Sequence, residues 1–376
     1  MNRPKLRSSV SVVSLQNNII EFFLTNTRQQ VRIKISSKKV LDLILKLDGT
    51  LTIEEIIKKY DIDNETSEYL IRFLMYLEGK GIIKDEVSEL IKKDDKYRRV
   101  INFLEDYSTG QEDIATMWNK IRNSHVVIVG LGAVGSWVSA LLVQSGVKRF
   151  TLIDNDTVDI TNLHRQFAFE EDDIGKLKTD VIETRLRKFD DEVVVRKINK
   201  FLNKTLLEEE IRDDVNLIIN CADKPNVDTT SSWVGEYCMK NNIPHIIGGG
   251  YNLHLSLIGQ TIIPFKSACV KCFESELAKI NEIDTKSLRK LNIKNRKIGS
   301  FGPMCSIIAS MIAMEAIKVL SNKILPSNLN RRGEFNIYSM DIKYHNIEKS
   351  NQCEWCGNNG IYGGNIYERD RGNTCE

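Results

Sequence analysis

Apolar positions recur at two different periods along this chain, and the change of period divides it. Between Ser8 and Ile35 the stretches VSVV, IIEFFL and VRIKI alternate or cluster β-branched residues and are broken by polar Asn-rich turns. That pattern predicts short strands. Val40–Leu47 places apolar residues at helical spacing, and Asp48-Gly49 signals a turn. Thr52 followed by Glu55 forms a capping box that opens a helix running to Tyr60. Leu70, Ile71, Leu74 and Leu77 form one apolar face of a further helix over Asn64–Leu77, and Lys80-Gly81 turns into a short strand at Ile82-Ile83. Strands, three helices and a closing strand predict a winged-helix-like α+β domain over residues 1–86. Residues 87–123 are charged and read as a linker. From His125 the pattern becomes one of continuous apolar strands alternating with helices. His125–Val129, Arg149–Asp154, Val193–Ile198 and Val215–Asn220 read as strands, with helices running on to Ser145 and over Lys176–Lys188. Such alternation predicts an α/β, doubly wound, Rossmann-like domain over residues 124–357. The Gly/Asn-rich end, residues 358–376, reads as a flexible tail.

Composition narrows the class only slightly. A chain of 376 residues allows two or three domains. With 53 Lys+Arg against 51 Asp+Glu the net charge is +2, which argues against nucleic-acid or polybasic membrane partners. The N-terminus has basic residues but no apolar run of signal-peptide length. The most apolar segment, Gly302–Leu320, contains Glu315 and Lys318 and fits a buried helix better than a membrane span. A cytoplasmic location is therefore expected, and the 8 cysteines do not read as a disulfide framework.

Candidate chemistry starts at Gly130-x-Gly132-x-x-Gly135, which follows an apolar strand and opens a helix. Glycines there permit a tight turn and let backbone amides approach phosphates at the positive end of the helix. Asp154 closes the next strand, where a carboxylate can accept ribose hydroxyls, and Asp156 follows it. Taken alone, this pattern also suits a nicotinamide or flavin cofactor. Arg165 and Lys178 gathered nearby, with Asp223 after the strand Val215–Asn220, shift the reading toward nucleotidyl transfer. Cations can neutralise an α-phosphate under attack, and a carboxylate can hold Mg²⁺. Cys269-x-x-Cys272 and Cys353-x-x-Cys356 form two thiolate knuckles, which together predict a closed, structural S₄ zinc site.

The run LIDNDTVDITNLHRQ, with GLGAVG before it, GKLKTDV after it and the two knuckles, resembles the ubiquitin-activating-enzyme-like superfamily of ThiF, MoeB and MccB. The resemblance covers about Tyr97–Cys356, and the overall architecture is most similar to the MccB type. It implies ATP-dependent adenylation of a carboxylate at the end of a protein or peptide. It also implies that Asp154 holds the ribose, that Asn162, Arg165 and Lys178 contact phosphates with Gln166 nearby, and that Asp223 binds Mg²⁺. Tyr97-Arg98-Arg99 is similar to the family's Tyr-x-Arg element, so Arg99, with Arg98 beside it, is the expected arginine finger reaching the partner subunit's ATP in a homodimer. Lys224 departs from the pattern, because relatives carry Asn after the Asp. Some members pass the acyl group to a cysteine between the knuckles, but Phe273–Met304 contains none. Cys305 is expected in the core, and neither Cys221 nor Cys238 is placed to form a thioester.

Between Ser37 and Glu86 there are 8 Lys/Arg against 11 Asp/Glu, so a DNA-reading role for the first domain is disfavoured. This region, through LDGTLTIEEIIKKY, resembles the PqqD-like leader-peptide recognition element, which binds a peptide as an added strand. The resulting expectation is an enzyme that adenylates a precursor peptide bound by its N-terminal domain. The alternatives are activation of a ubiquitin-like sulfur carrier, or a non-catalytic scaffold that presents a leader peptide.

Overall fold

The computed structural model describes residues 2–35, 37–86, 93–108, 111–211, 214–248, 251–252, 255–280 and 299–363. The chain falls into two compact units, Met1–Asn119 and Lys120–Glu376. Of the expected tail, residues 364–376 lie outside the described residues, as do 87–92 of the expected linker.

The first unit begins with β1 (Pro4–Leu6) and an antiparallel meander of β2 (Val10–Leu15), β3 (Ile19–Leu24) and β4 (Gln29–Lys34). Alternation on β3 buries Ile20, Phe22 and Leu24, so one face of the meander supplies the core. Three helices follow: α1 (Lys38–Leu45), α2 (Ile53–Lys59) and α3 (Asn64–Gly79). The capping box is formed, with the Glu55 N–H donating to the Thr52 hydroxyl at 3.1 Å and the Thr52 N–H donating to the Glu55 carboxylate at 2.8 Å. Asp63 caps α3, and Leu70, Leu74 and Leu77 carry its buried stripe onto Ile20, Phe22 and Ile44. β5 (Ile83–Asp85) then pairs antiparallel with β1.

Beyond β5, α4 (Arg98–Glu105) and α5 (Gln111–Asn123) follow. Polar contacts bind this stretch to the first unit. Lys84 and Glu105 form a buried ion pair. Arg7 donates to the carbonyls of Glu105 at 2.6 Å and Ser108 at 3.2 Å. The Trp118 indole donates to Asp94 at 2.7 Å and packs on Tyr97.

In the second unit a six-stranded sheet has the order β13-β10-β9-β6-β7-β8. Its strands are β6 (His125–Val129), β7 (Arg149–Ile153), β8 (Val194–Ile198), β9 (Leu217–Asn220), β10 (His245–Ile247) and the antiparallel edge β13 (Gln260–Ile262). The other five are parallel, as the expected doubly wound domain requires. Helices α6 (Ala133–Gln144), α7 (Lys178–Phe189), α8 (Leu206–Glu210) and α9 (Val227–Asn241) connect them. A second, antiparallel sheet consists of β11 (Tyr251–Asn252), β12 (Leu255–Ile258), β14 (Arg331–Asn336) and β15 (Asp341–Asn346). It is accompanied by α10 (Val270–Ile280) and α11 (Gly302–Ser321).

Helix α11 is long and apolar enough to cross a membrane by length and composition. Met304, Cys305, Ile308, Ala309, Ile312 and Ala316 are nevertheless buried in the unit. Its buried Glu315 is fully engaged: it accepts from the Thr261 hydroxyl, the Ser327 and Asn328 N–H groups and Lys318, all at 2.8–3.0 Å. Burial pushes the Glu315 carboxyl up, but Lys318 and the two backbone donors outweigh it and hold the group below its usual range.

The buried pair in the first unit gives a direct test of what holds α4 in place. Replacing Lys84 alone by Met strands the Glu105 charge and is expected to cost about 3–5 kcal/mol in denaturant unfolding. The double variant Lys84→Met/Glu105→Leu is expected to recover most of that loss. Equal losses in the single and double variants would show that the pair is solvated.

Candidate functional site

The strand order reverses around β6: β7 and β8 lie to one side, β9 and β10 to the other. In a parallel sheet that reversal opens a crevice at the carboxyl ends of the strands. The three glycines sit at its base. Gly130 has φ +86, a conformation that favours glycine, and a Cβ there would stand 2.8 Å from the Cys221 carbonyl oxygen and the Ala222 nitrogen. Gly135, in the first turn of α6, lies directly against the Gly130 carbonyl, leaving no room for a side chain. Around Gly132, which caps α6, a Cβ would meet nothing within 4 Å, so the space in front of the helix end is open. Backbone N–H groups at such an end suit an anion.

Asp154 and Asp156 line the β7 side. The Asp154 carboxylate accepts from the Leu131 N–H at 2.6 Å and from the Asp156 N–H at 2.7 Å, tying the glycine loop to the end of β7. Burial raises its pKa against the pull of Lys178 and those two donors. Asp156 accepts from Lys178 Nζ at 3.1 Å and from Lys224 Nζ at 3.0 Å. Its partial burial pushes the carboxyl up, but the two ammonium groups outweigh that and hold it below the usual range. Lys178 is buried at the start of α7, whereas Lys224 is exposed on the loop after β9.

The turn after Asp156 is ordered by its own side chains. Asp159 accepts from the Thr161 N–H at 2.8 Å, and buried Asn162 accepts from the Asp159 N–H at 3.1 Å. Arg165 donates back to the Thr161 carbonyl at 2.5 Å. Gln166 is buried, and its Oε1 has no hydrogen-bond partner among the described residues. The start of α11 closes on this turn: a Cβ at Gly302 would lie 3.1 Å from the His164 carbonyl oxygen. Asp223 is exposed on the loop after β9, next to Lys224. The second unit thus gathers the glycine loop, Asp154, Asp156 and Lys178 at one crevice, with the Asp223 loop tied to them through Lys224. Arg99 lies on α4 of the first unit, where it is exposed while its neighbour Arg98 pairs with Asp95 at 3.6 Å. The ion pair between Lys224 and Asp156 is the feature that sequence reasoning missed. Its only signal was the departure from the family pattern at that position.

The cysteines fall as their surroundings dictate. Sγ–Sγ distances are 3.9 Å for Cys269–Cys272, 3.5 Å for Cys269–Cys353 and 3.4 Å for Cys272–Cys356. All four sulfurs lie within 4.8 Å of one another. Zinc with bonds of about 2.3 Å needs tetrahedral sulfurs roughly 3.8 Å apart, so the cluster fits that ion. Cys238 and Cys305 are fully buried. Cys221 faces Gly248 so closely that a Cβ there would stand 2.9 Å from its sulfur, and burial pushes its thiol up to about 12. It is unsuited to act as a nucleophile.

The ThiF family model matches residues 98–356, more than half of the chain. The chain belongs to the ThiF family. The match begins one residue before Arg99 and ends at Cys356, so it contains the glycine loop and both knuckles. The Escherichia coli K12 sulfur carrier protein ThiS adenylyltransferase is 26% identical over 242 residues, covering 63% of this chain and 88% of that one. The tRNA threonylcarbamoyladenosine dehydratase of Haemophilus influenzae is 35% identical over 131 residues, covering 35% of this chain. The match spans about half of that relative's own length, 49%. Among solved structures, E. coli MccB crystallised with MccA superposes with a TM-score of 0.74 at 25% identity, over 95% of this chain and 100% of that one. MccB crystallised with ATP gives 0.71 at 23%, over 95% and 99%. Family and fold together support ATP-dependent adenylation as the class of chemistry.

Two substitutions probe the site's construction. Purified protein is expected to carry about one zinc per chain by elemental analysis, and Cys272→Ala to lose it together with several degrees of Tm. Gly135→Val is expected to displace the Gly130 carbonyl and abolish nucleotide binding by calorimetry, while leaving zinc content intact.

Proposed function

We propose that this ThiF-family chain binds ATP at the β6 crevice and adenylates a carboxylate of a ribosomally made precursor peptide, most simply its C-terminus. The observation that carries the reading is the convergence of the open α6 end, Asp154 and the Asp156–Lys178 pair where the sheet order reverses. Glycine-loop amides and the α6 end would receive the phosphates. Asp154 would take the ribose hydroxyls. Arg165 and Lys178 would neutralise charge, with the Asn162 amide donating a hydrogen bond, as a carboxylate oxygen bonds to the α-phosphorus and the bond to pyrophosphate breaks. Mg²⁺, held by Asp223, would add charge neutralisation at the departing pyrophosphate. Arg99 would serve the site of a second subunit in a homodimer. The adenylate would then pass to an oxygen or nitrogen nucleophile, since the one cysteine between the knuckles, Cys305, is buried in α11.

Residues 1–97 of the first unit lie outside the family match, and the peptide reading concerns that part. The likeness to MccB, which was crystallised with MccA, extends over 95% of this chain and so supports a peptide partner. A PqqD-like role for the first unit would use an edge of the β2–β4 meander, where a peptide adds main-chain hydrogen bonds. The likeness to the ThiS adenylyltransferase favours a second reading, activation of a ubiquitin-like sulfur carrier in the cytoplasm. A scaffold without chemistry has no physical use for the charged set around the crevice.

ATP–pyrophosphate exchange separates these readings. Exchange is expected with the short peptide encoded beside the gene, and Asp223→Ala is expected to lower it about a hundredfold or more. Exchange only with a protein ending in Gly-Gly would move the reading to sulfur-carrier activation. No exchange with either would overturn adenylation.

A further inference from the structure

Lys224 occupies an unusual place for a surface lysine. It follows Asp223 on the loop after β9, yet its ammonium reaches Asp156, at the end of β7, at 3.0 and 3.2 Å. β9 and β7 are not neighbours, because β6 with its glycine loop lies between them. The side chain therefore joins the loops that follow two non-adjacent strands, across the carboxyl end of β6. It also passes 5.2 Å from the centre of the Phe201 ring, beyond the end of β8. One cation thus bridges the β7 and β9 sides of the crevice.

The two lysines on Asp156 are not equivalent. The Lys178 side chain is 6% exposed, and Lys224 is 61% exposed. A half-exposed pair contributes little, so releasing Lys224 costs little, whereas stripping Lys178 would leave a buried charge. Lys178 carries three N–H donors and can keep Asp156 while still donating to a phosphate. When a polyphosphate enters beneath Lys224, its several negative charges compete for that ammonium with a single carboxylate that Lys178 continues to neutralise.

We propose that Lys224 is a nucleotide-binding residue, whose ammonium leaves Asp156 and pairs with the β- and γ-phosphates when ATP enters the crevice. This rests on the crevice being the ATP site. Lys224 adjoins Asp223 in the chain, so it serves the leaving-group end of the nucleotide, and a ligand ending at the α-phosphate does not engage it.

The test is calorimetric binding of ATP and of AMP to the full chain, with Mg²⁺ and without any carboxylate substrate. Lys224→Gln is expected to raise the Kd for ATP about tenfold, to leave AMP within about twofold, and to flatten the salt dependence of ATP binding. Lys224→Arg is expected to restore most of the ATP affinity. Unchanged ATP binding in Lys224→Gln, or equal weakening of ATP and AMP, would overturn the assignment, the latter showing a purely structural role. Failure of the unaltered protein to bind either nucleotide would instead overturn the nucleotide site itself, along with everything resting on it.

Discussion

Helix α6 can begin where β6 ends only because no side chain stands at Gly130 or Gly135. Gly130 is held between the first turn of α6, which meets its carbonyl, and the backbone leaving β9, which meets its Cα. That contact sets how far the helix end lies from the sheet, and so fixes the open space before Gly132. The rest of the site is measured from it. Asp154 reaches the loop through the Leu131 N–H, so the same contact registers β7 against the helix end. A parallel sheet with its reversal at β6 then brings backbone donors, two carboxylates and a buried lysine together at the carboxyl ends of β6 and β7.

Two carboxylates, Asp154 and Asp156, meet two ammonium groups, Lys178 and Lys224, in the crevice. Asp156 holds one cation from the buried start of α7 and another from the exposed loop after β9. The buried partner is costly to move and the exposed one is not, so the arrangement is rigid on one bank and exchangeable on the other. Local turns support it: Asp159, Thr161, Asn162 and Arg165 satisfy one another through main-chain contacts, which holds the run between β7 and α7 in one shape. The zinc-type knuckles play no part in this balance. They join two segments 84 residues apart.

The first unit is built on different physics. Its meander and three helices share one apolar core, but α4 is attached by a buried Lys84–Glu105 pair and by Arg7 bonded to carbonyls at the end of that helix. A stretch of high charge that reads as a linker is thereby made part of a folded body, up to Trp118 and its bond to Asp94. Charge along a sequence signals exposure only when the partners are absent, and here they come from residues 7 and 84.

Local signals in the sequence determined a great deal. The alternation on β3, the Thr52/Glu55 capping box and the Leu70–Leu77 stripe each act within a few residues, so they are legible before any packing is known. The glycine spacing and the two Cys-x-x-Cys pairs are equally local, because a tight turn and a two-thiolate knuckle are made by neighbours in the chain. Only the tertiary structure decided which distant groups meet. Asp156 and Lys224 are 68 residues apart and joined across β6. Lys84 and Glu105 are 21 apart. The sulfur of Cys221 lies against Gly248. Such contacts depend on strand order and on the burial that packing imposes, and neither periodicity nor spacing encodes them.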